Sequence, residues 1–406
     1  MTIHTATWKD VRTLVSVTES RLSLTMETDP APIVINFDLA GRLWSIMQAG
    51  TFYQRGLNGR VVAKWIDPET GRGRRWLSDH EVDDLEKQAY DSAAEVWDAL
   101  RSNQIQFEPP LETPGEEILR RVVDFSTTGL DRDVQNFHRI FKPVGILPPD
   151  QYQAVLLQAT EGCSYNQCTF CDFYRDRKFH IKDEKEFEAH CRHVREYLAQ
   201  GLSLRRTIFL GDANALVIPR QRLESLFDII HSFFDVGALG GVFAFLDAFS
   251  GEKKDVEDYR SLRARGLERV YIGLESGYDP LLNFLQKPGT SKHALQTVNA
   301  LKSAGVAVGV IILLGAGGRT YADGHVRETV QLLNRMPLDM QDQIYFSQLI
   351  ESEDMRYSIR AFQEDLHPLS DRDCMHQAEQ IEAGLSFDPA GGTPHISRYD
   401  IREFVY

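Results

Sequence analysis

Between residues 154 and 349 the sequence alternates short apolar runs with amphipathic helical segments. The six apolar runs span residues 154–159, 206–210, 241–246, 269–274, 306–314 and 343–349. The helical segments between them span residues 184–198, 222–234, 256–265, 280–285 and 292–304. This alternation predicts right-handed βαβ units and a parallel sheet. The predicted fold class is therefore α/β, as a doubly wound sheet or an incomplete TIM-like barrel. In either fold the active site forms at the carboxyl ends of the strands.

Polar or glycine residues follow the successive runs, at the same pole of the predicted sheet. A cysteine-rich loop follows the first run, G-D-A-N the second, D-A-F-S (247–250) the third, E-S-G the fourth and G-A-G-G the fifth. Because these ends meet at one edge of a parallel sheet, we expect their residues to form one site. The candidates are Gly211, Asp212, Asn214, Asp247, Glu275, Ser276 and Gly315.

The cysteine-rich loop contains Cys163, Cys168 and Cys171 in a C-x4-C-x2-C pattern, with Phe170 just before the last cysteine. Three thiolates this close together can bind a soft metal or an iron–sulfur cluster. A structural zinc site or a saturated 4Fe–4S cluster would need a fourth ligand. The sequence therefore predicts a metal site with one position open. The two other cysteines are isolated, and we expect Cys191 to be an ordinary buried thiol.

With these motifs, the region resembles the radical S-adenosylmethionine (SAM) superfamily. The commonest family spacing is C-x3-C-x2-C, and some members share the longer C-x4-C-x2-C form found here. L-G-D-A-N takes the place of the family's G-G-E motif, with Asp212 where that motif has a glycine. G-L-E-S-G is similar to the segment that holds the ribose and amino group of SAM. G-V-I-I-L-L-G, from Gly309 to Gly315, is similar to the fifth-strand segment that lies against adenine.

The resemblance implies a partial (βα)6 barrel over residues 151–350. It also implies one 4Fe–4S cluster on the three cysteines, with the fourth iron left for SAM. Reductive cleavage of SAM would then release methionine and a 5′-deoxyadenosyl radical, with the electron coming from a donor such as flavodoxin or ferredoxin.

Several side chains receive roles from the same resemblance. Phe170 would shield the cluster, and Glu275 and Ser276 would hold polar groups of the nucleoside or amino acid. One of the cations that follow the cysteines would neutralise a carboxylate of cofactor or substrate. These cations are Arg175, Arg177 and Lys178.

The flanking regions lie outside the resemblance. Residues 1–150 are predicted to form an α+β accessory region, with strands within 33–44 and at 61–66 and helices at about 78–102 and 116–141. Ser78 and Glu81 form a capping box at the start of the first helix. Residues 351–406 are predicted to form a short C-terminal extension that packs on the core, with a helix at about 371–383 flanked by loops.

Composition limits the possible partners and the compartment. The formal net charge of −14 disfavours a general nucleic-acid-binding protein. No apolar stretch reaches the ~18 residues of a transmembrane helix. Five cysteines, three of them clustered, do not form a secreted disulfide framework. We therefore expect a cytoplasmic protein that acts on a small molecule.

Three alternatives stay open at this level. The cysteines could form a zinc site completed by His180 or another side chain. The chain could be an iron–sulfur or zinc protein that binds a partner and performs no radical chemistry. It could also be a radical enzyme that modifies RNA or protein.

Overall fold

The computed structural model describes residues 2–68, 71–247 and 254–406, without the side chains of 126–128. The chain forms two compact units. The first consists of Met1–Pro143, His193–Arg206 and Glu403–Tyr406. The second consists of Val144–Arg192 and Thr207–Arg402. The three-part division predicted from the sequence stays a prediction.

The first unit is built on an eight-stranded antiparallel sheet whose strands follow one another in chain order. The strands are β1 (Thr2–Trp8), β2 (Val11–Val17), β3 (Arg21–Glu27), β4 (Ile33–Asp38), β5 (Leu43–Gln48), β6 (Thr51–Arg55), β7 (Val61–Trp65) and β8 (Gly73–Trp76). Leu22 and Leu24 alternate with polar neighbours and are fully buried. One face of the sheet therefore supplies core residues, as expected of an antiparallel sheet.

Two long helices contribute to the same core, α1 (Asp79–Arg101) and α2 (Thr113–Ile140). The predicted capping box is confirmed: the Ser78 amide donates to the Glu81 carboxylate at 2.9 Å. Both predicted helices and the strands at 33–44 and 61–66 are confirmed. The strands β1 to β3, β6 and β8 were not predicted.

The second unit is built on a seven-stranded parallel sheet with the order β17-β16-β15-β14-β13-β12-β9. A separate two-stranded antiparallel ribbon pairs β10, which directly follows β9 in the chain, with β11. The strands are β9 (Ala154–Gln158), β10 (Thr160–Glu161), β11 (His180–Ile181), β12 (Thr207–Gly211), β13 (Val242–Leu246), β14 (Leu267–Glu275), β15 (Ala307–Leu314), β16 (Gln343–Gln348) and β17 (His395–Tyr399).

Helices alternate with the strands of this sheet. They are α3 (Glu184–Leu198), α4 (Arg220–Phe233), α5 (Val256–Ala264), α6 (Asp279–Phe284), α7 (Ser291–Ser303), α8 (Gly318–Leu333), α9 (Arg356–Gln363) and α10 (Asp371–Gly384). Every residue of β9 and of β15 is buried. The runs are continuously apolar because a parallel sheet is covered on both faces.

The α/β prediction and its six parallel strands are confirmed. The prediction for the C-terminal extension is wrong in part. The helix at 371–383 is present as α10, but the flanking residues also form α9 and the strand β17, which pairs with β16. The sequence of β17, H-I-S-R-Y, lacks an apolar run because this edge strand has no fully buried residue.

Candidate functional site

A cavity of about 400 Å³ opens at the carboxyl ends of the parallel strands. Its wall includes all three clustered cysteines and four of the predicted cofactor-binding residues. These lining residues are Cys163, Cys168, Cys171, Phe170, Asn214, Asp247 and Glu275. The structure therefore brings together the cysteine loop and the ends of three further strands.

The cysteine loop is closed at its base by the pairing of β10 with β11. Asn166 occupies the left-handed region, with a φ of 50°. Its side-chain amide donates to the Tyr174 carbonyl at 3.0 Å. Asparagine tolerates this backbone conformation better than most residues. Asn166 therefore forms a tight turn within the C-x4-C spacing.

The three clustered cysteines are half-buried. Burial raises the pKa of Cys168 to about 12 and that of Cys171 to about 11. Metal binding at these sulfurs must therefore displace protons. Within the described ranges, no group of three His, Cys, Asp or Glu side chains is arranged to ligate a single metal ion directly. The Nε2 atom of His180 lies 3.1 Å from Glu186 Oε2, within hydrogen-bond distance. His180, the candidate fourth zinc ligand, is not among the described residues that line the cavity.

A buried ion pair forms one wall of the cavity. Lys287 Nζ lies 3.2 Å from Glu275 Oε1, and the two side chains are 10% and 9% exposed. Burial acts to lower the pKa of Lys287, but Glu275 and Asp247 outweigh it and raise that pKa. Lys287 is therefore an ammonium group at neutral pH, and Cys168 is among the groups that interact with it.

Asn214 links the cysteine loop to the end of β13. Its side-chain amide donates to Ser164 Oγ at 3.3 Å, and its carbonyl oxygen accepts the Asp247 amide at 3.0 Å. Asn214 is almost fully buried. The remainder of the predicted D-A-F-S segment, residues 248–250, lies outside the described residues.

Gly211 and Asp212 are not among the described residues that line the cavity. The Asp212 carboxylate accepts the Gly162 amide at 3.1 Å and the Gln158 side-chain amide at 3.0 Å. Burial raises the pKa of Asp212. Its contacts anchor the residue just before Cys163, and a direct contact with a cofactor stays a prediction.

The remaining predicted residues also lie outside the described lining of the cavity. Ser276 is fully buried and lies 2.6 Å from His325 Nδ1 on α8. Gly309 faces the Tyr271 ring, where a Cβ would come within 2.3 Å. The Gly315 amide donates to Gln377 Oε1 at 2.9 Å. Their roles in cofactor binding stay predictions.

The three cations after the cysteines have different surroundings. The Arg175 guanidinium donates to the carbonyls of Cys168 and Cys171, each at 3.1 Å. Arg177 lies 3.4 Å from Asp212. Lys178 is exposed. None of the three is among the described residues that line the cavity.

Sequence reasoning missed several residues of the cavity wall. Lys287 lies between α6 and α7, and its K-P-G sequence indicated only a turn. Tyr399 comes from β17, which was also not predicted. Ser347 and Glu351 lie at and after the end of β16. The position of Ser347 near a strand end was the one available signal.

The sequence model of the Radical SAM superfamily matches residues 157–333 of the chain. The match runs from the end of β9 to the end of α8 and includes the cysteine loop and the Glu275–Lys287 pair. Residues 157–333 therefore form a Radical SAM domain, the domain of a superfamily of enzymes. This domain implies an iron–sulfur cluster and SAM, and it leaves the substrate unspecified.

Several solved structures are similar to this chain at low sequence identity. Coproporphyrinogen III oxidase (HemN) from Escherichia coli is 14% identical over 59% of this chain and 55% of its own, with a TM-score of 0.41. Methylornithine synthase (PylB) is 16% identical over 66% of this chain and 76% of its own, with a TM-score of 0.39. The methyltransferase TsrM from Kitasatospora setae is 17% identical over 55% of this chain and 43% of its own, with a TM-score of 0.40.

The chain thus spans about half the length of HemN. No curated protein sequence matches it. Among the described residues, no helix has the length and apolar character needed to span a membrane.

Proposed function

We propose that the chain is a radical SAM enzyme that holds one 4Fe–4S cluster on Cys163, Cys168 and Cys171. It would cleave SAM reductively and start radical chemistry on a small molecule. The observation that carries this proposal is the shared cavity. The three thiols line the same space as the buried Glu275–Lys287 ion pair.

The side chains of the cavity suit both groups. Thiolates are soft ligands for iron, and three of them leave one iron of a 4Fe–4S cluster without a protein ligand. Lys287 can pair with the carboxylate of SAM, because it is a buried ammonium close to Cys168. Glu275 and Asp247 can accept hydrogen bonds from amino and hydroxyl groups. When bound, the cluster would supply the electron that breaks a C–S bond of SAM.

Apolar side chains complete the wall and support the same assignment. Phe170, Phe245, Ile311 and Leu313 line the cavity and can exclude water from an adenosyl group. Ser347 and Tyr399, which are far from the cysteines in sequence, also line the cavity and supply hydroxyl groups. The volume of about 400 Å³ lies in the range of small-molecule sites, ~300–1,000 Å³.

Anaerobic reconstitution with iron and sulfide tests the proposal. We expect about four iron atoms per chain and cleavage of SAM by the dithionite-reduced protein. Cys168→Ala should lose both properties. Cys191→Ala, which removes a fully buried thiol on α3, is the matched control and should keep both. A wild-type protein that binds iron without cleaving SAM would instead support an iron–sulfur protein with no radical chemistry.

The partners are part of the proposal. Reduced flavodoxin or ferredoxin should replace dithionite as the electron donor in the cleavage assay. A small-molecule substrate is supported by the cavity volume and the net charge of −14. Nucleic acid that copurifies with the protein, or transfer of label from SAM to RNA or protein, would favour a macromolecular substrate instead.

A further inference from the structure

Arg175 makes contacts that set it apart from the other cations of the cysteine loop. Its Nε donates to the Cys171 carbonyl and its Nη2 donates to the Cys168 carbonyl, each at 3.1 Å. A single guanidinium therefore holds the backbone of two of the three clustered cysteines. The side chain is 25% exposed, so these bonds are partly shielded from water.

The fork geometry of arginine explains this arrangement. The guanidinium presents several N–H donors in one fixed plane, so it can reach two carbonyls at once. The ammonium of a lysine is a point charge without that fixed fork. The residue type at position 175 thus suits a role in fixing two peptide groups relative to each other.

A carboxylate beside Arg175 affects the local charge. Arg175 forms an ion pair with Asp172, whose side chain is 43% exposed. Removing the guanidinium would leave the Asp172 carboxylate unbalanced next to Cys171. Net charge and hydrogen bonding around an iron–sulfur cluster are among the factors that set its reduction potential. A more negative surrounding disfavours the reduced cluster, because reduction adds negative charge.

We propose that Arg175 is a positioning residue for the cluster, which orients Cys168 and Cys171 through their carbonyls and raises the reduction potential of the cluster. This inference rests on the proposed function. It goes beyond it by assigning a role to a side chain that is not among the described residues lining the cavity. Lys178, in the same loop, is exposed and serves as a matched cation for comparison.

The test compares Arg175→Gln, Arg175→Lys and Lys178→Gln with the wild type after anaerobic reconstitution. The midpoint potential is measured by a redox titration followed by electron paramagnetic resonance (EPR). The rate of iron release to a ferrous chelator is measured in parallel. We expect a more negative potential and faster iron release for Arg175→Gln, and wild-type values of both for Lys178→Gln.

Arg175→Lys separates the two parts of the role. It should keep the potential near the wild-type value, because the charge remains, and release iron faster, because the fork is lost. The double variant Asp172→Asn/Arg175→Gln should recover the potential of the wild type. If Arg175→Gln binds no iron while Arg175→Lys and Lys178→Gln do, the positioning role is supported.

Wild-type potential together with a wild-type rate of iron release in Arg175→Gln would overturn the inference. Equal losses in Arg175→Gln and Lys178→Gln would also overturn it, since the effect would then be one of loop charge alone. Failure of the proposed function would look different. In that case the wild-type protein itself would bind no iron–sulfur cluster, or would bind one without cleaving SAM.

Discussion

Lys287 and Glu275 show how single residues define the cavity. Each side chain is about nine-tenths buried, and their charged atoms lie 3.2 Å apart. A Cβ at Gly273 would come within 2.4 Å of Glu275 Oε1, so the glycine leaves room for the carboxylate. Breaking a buried pair leaves an uncompensated charge, which costs more than losing an exposed pair.

Lys287→Met should weaken SAM binding to the reconstituted protein about tenfold or more, equal to about 1.4 kcal/mol or more of binding free energy. It removes the ammonium that we assign to the SAM carboxylate. Equilibrium dialysis with labelled SAM measures the effect. Lys287→Arg keeps the charge and should retain more of the affinity.

The same substitution should lower the free energy of unfolding by about 3 kcal/mol, because Glu275 loses its partner. The double variant Glu275→Gln/Lys287→Met should recover stability without recovering SAM affinity. Wild-type affinity in Lys287→Met would contradict the role given to Lys287.

The sequence could predict Glu275 but not Lys287. Glu275 follows a buried strand of a parallel sheet, and the position of a strand end is a signal that the sequence contains. Lys287 lies twelve residues later in a helix connection. Only the tertiary fold brings it to Glu275. Asp212 was predictable as a strand-end residue, but its contact with Gly162 depends on how the cysteine loop folds back.

At the scale of elements, α8 is joined to the turn after β14 by a buried cluster of side chains. Ser276 Oγ and Thr329 Oγ1 lie 2.6 and 3.2 Å from His325 Nδ1. The Tyr278 amide donates to Ser276 Oγ at 3.0 Å. This cluster holds the turn in which Glu275 has a φ of 62°.

His325 should make stability depend on pH. Burial lowers its pKa from 6.5 to about 4, so the folded protein keeps it neutral. Below about pH 6.5 the unfolded chain takes up a proton at this residue and the folded chain does not. The stability it contributes is therefore present above pH 6.5 and is lost as the pH falls towards 4, by about 3 kcal/mol in all.

Denaturant unfolding of wild type and His325→Asn across this pH range measures the contribution. Asparagine carries both a donor and an acceptor and does not titrate, so the difference between the two proteins should shrink or reverse as the pH falls. His325→Gln places its oxygen farther along the side chain and should bind SAM more weakly than His325→Asn. Parallel pH curves for wild type and His325→Asn would refute the titration argument.

The strands were predictable to different degrees for physical reasons. β15 is buried on both faces, and its uninterrupted run of apolar residues identified it. β1 to β3 have one partly exposed face and show only alternation, as at Leu22 and Leu24. β17 is an edge strand, and its side chains are exposed or half-buried. Its pairing with β16 depends on the tertiary fold.

At the scale of the whole molecule, the two units use different sheet designs. The first has an antiparallel sheet in chain order, and the second has a parallel sheet with helices between its strands. All the described residues that line the cavity belong to the second unit. The first unit draws on three segments of the chain, including Glu403–Tyr406. The radical chemistry that we propose is therefore assigned to the second unit.

The central claim is that a cluster on Cys163, Cys168 and Cys171 leaves one iron free to bind SAM. The most direct test is the EPR spectrum of the anaerobically reconstituted, reduced protein with and without SAM. The account predicts a 4Fe–4S signal that shifts when SAM is added. Adenosine, which lacks the methionine part of SAM, should cause no such shift. A cluster signal that SAM leaves unchanged, or a reconstituted protein without such a signal, would contradict the claim.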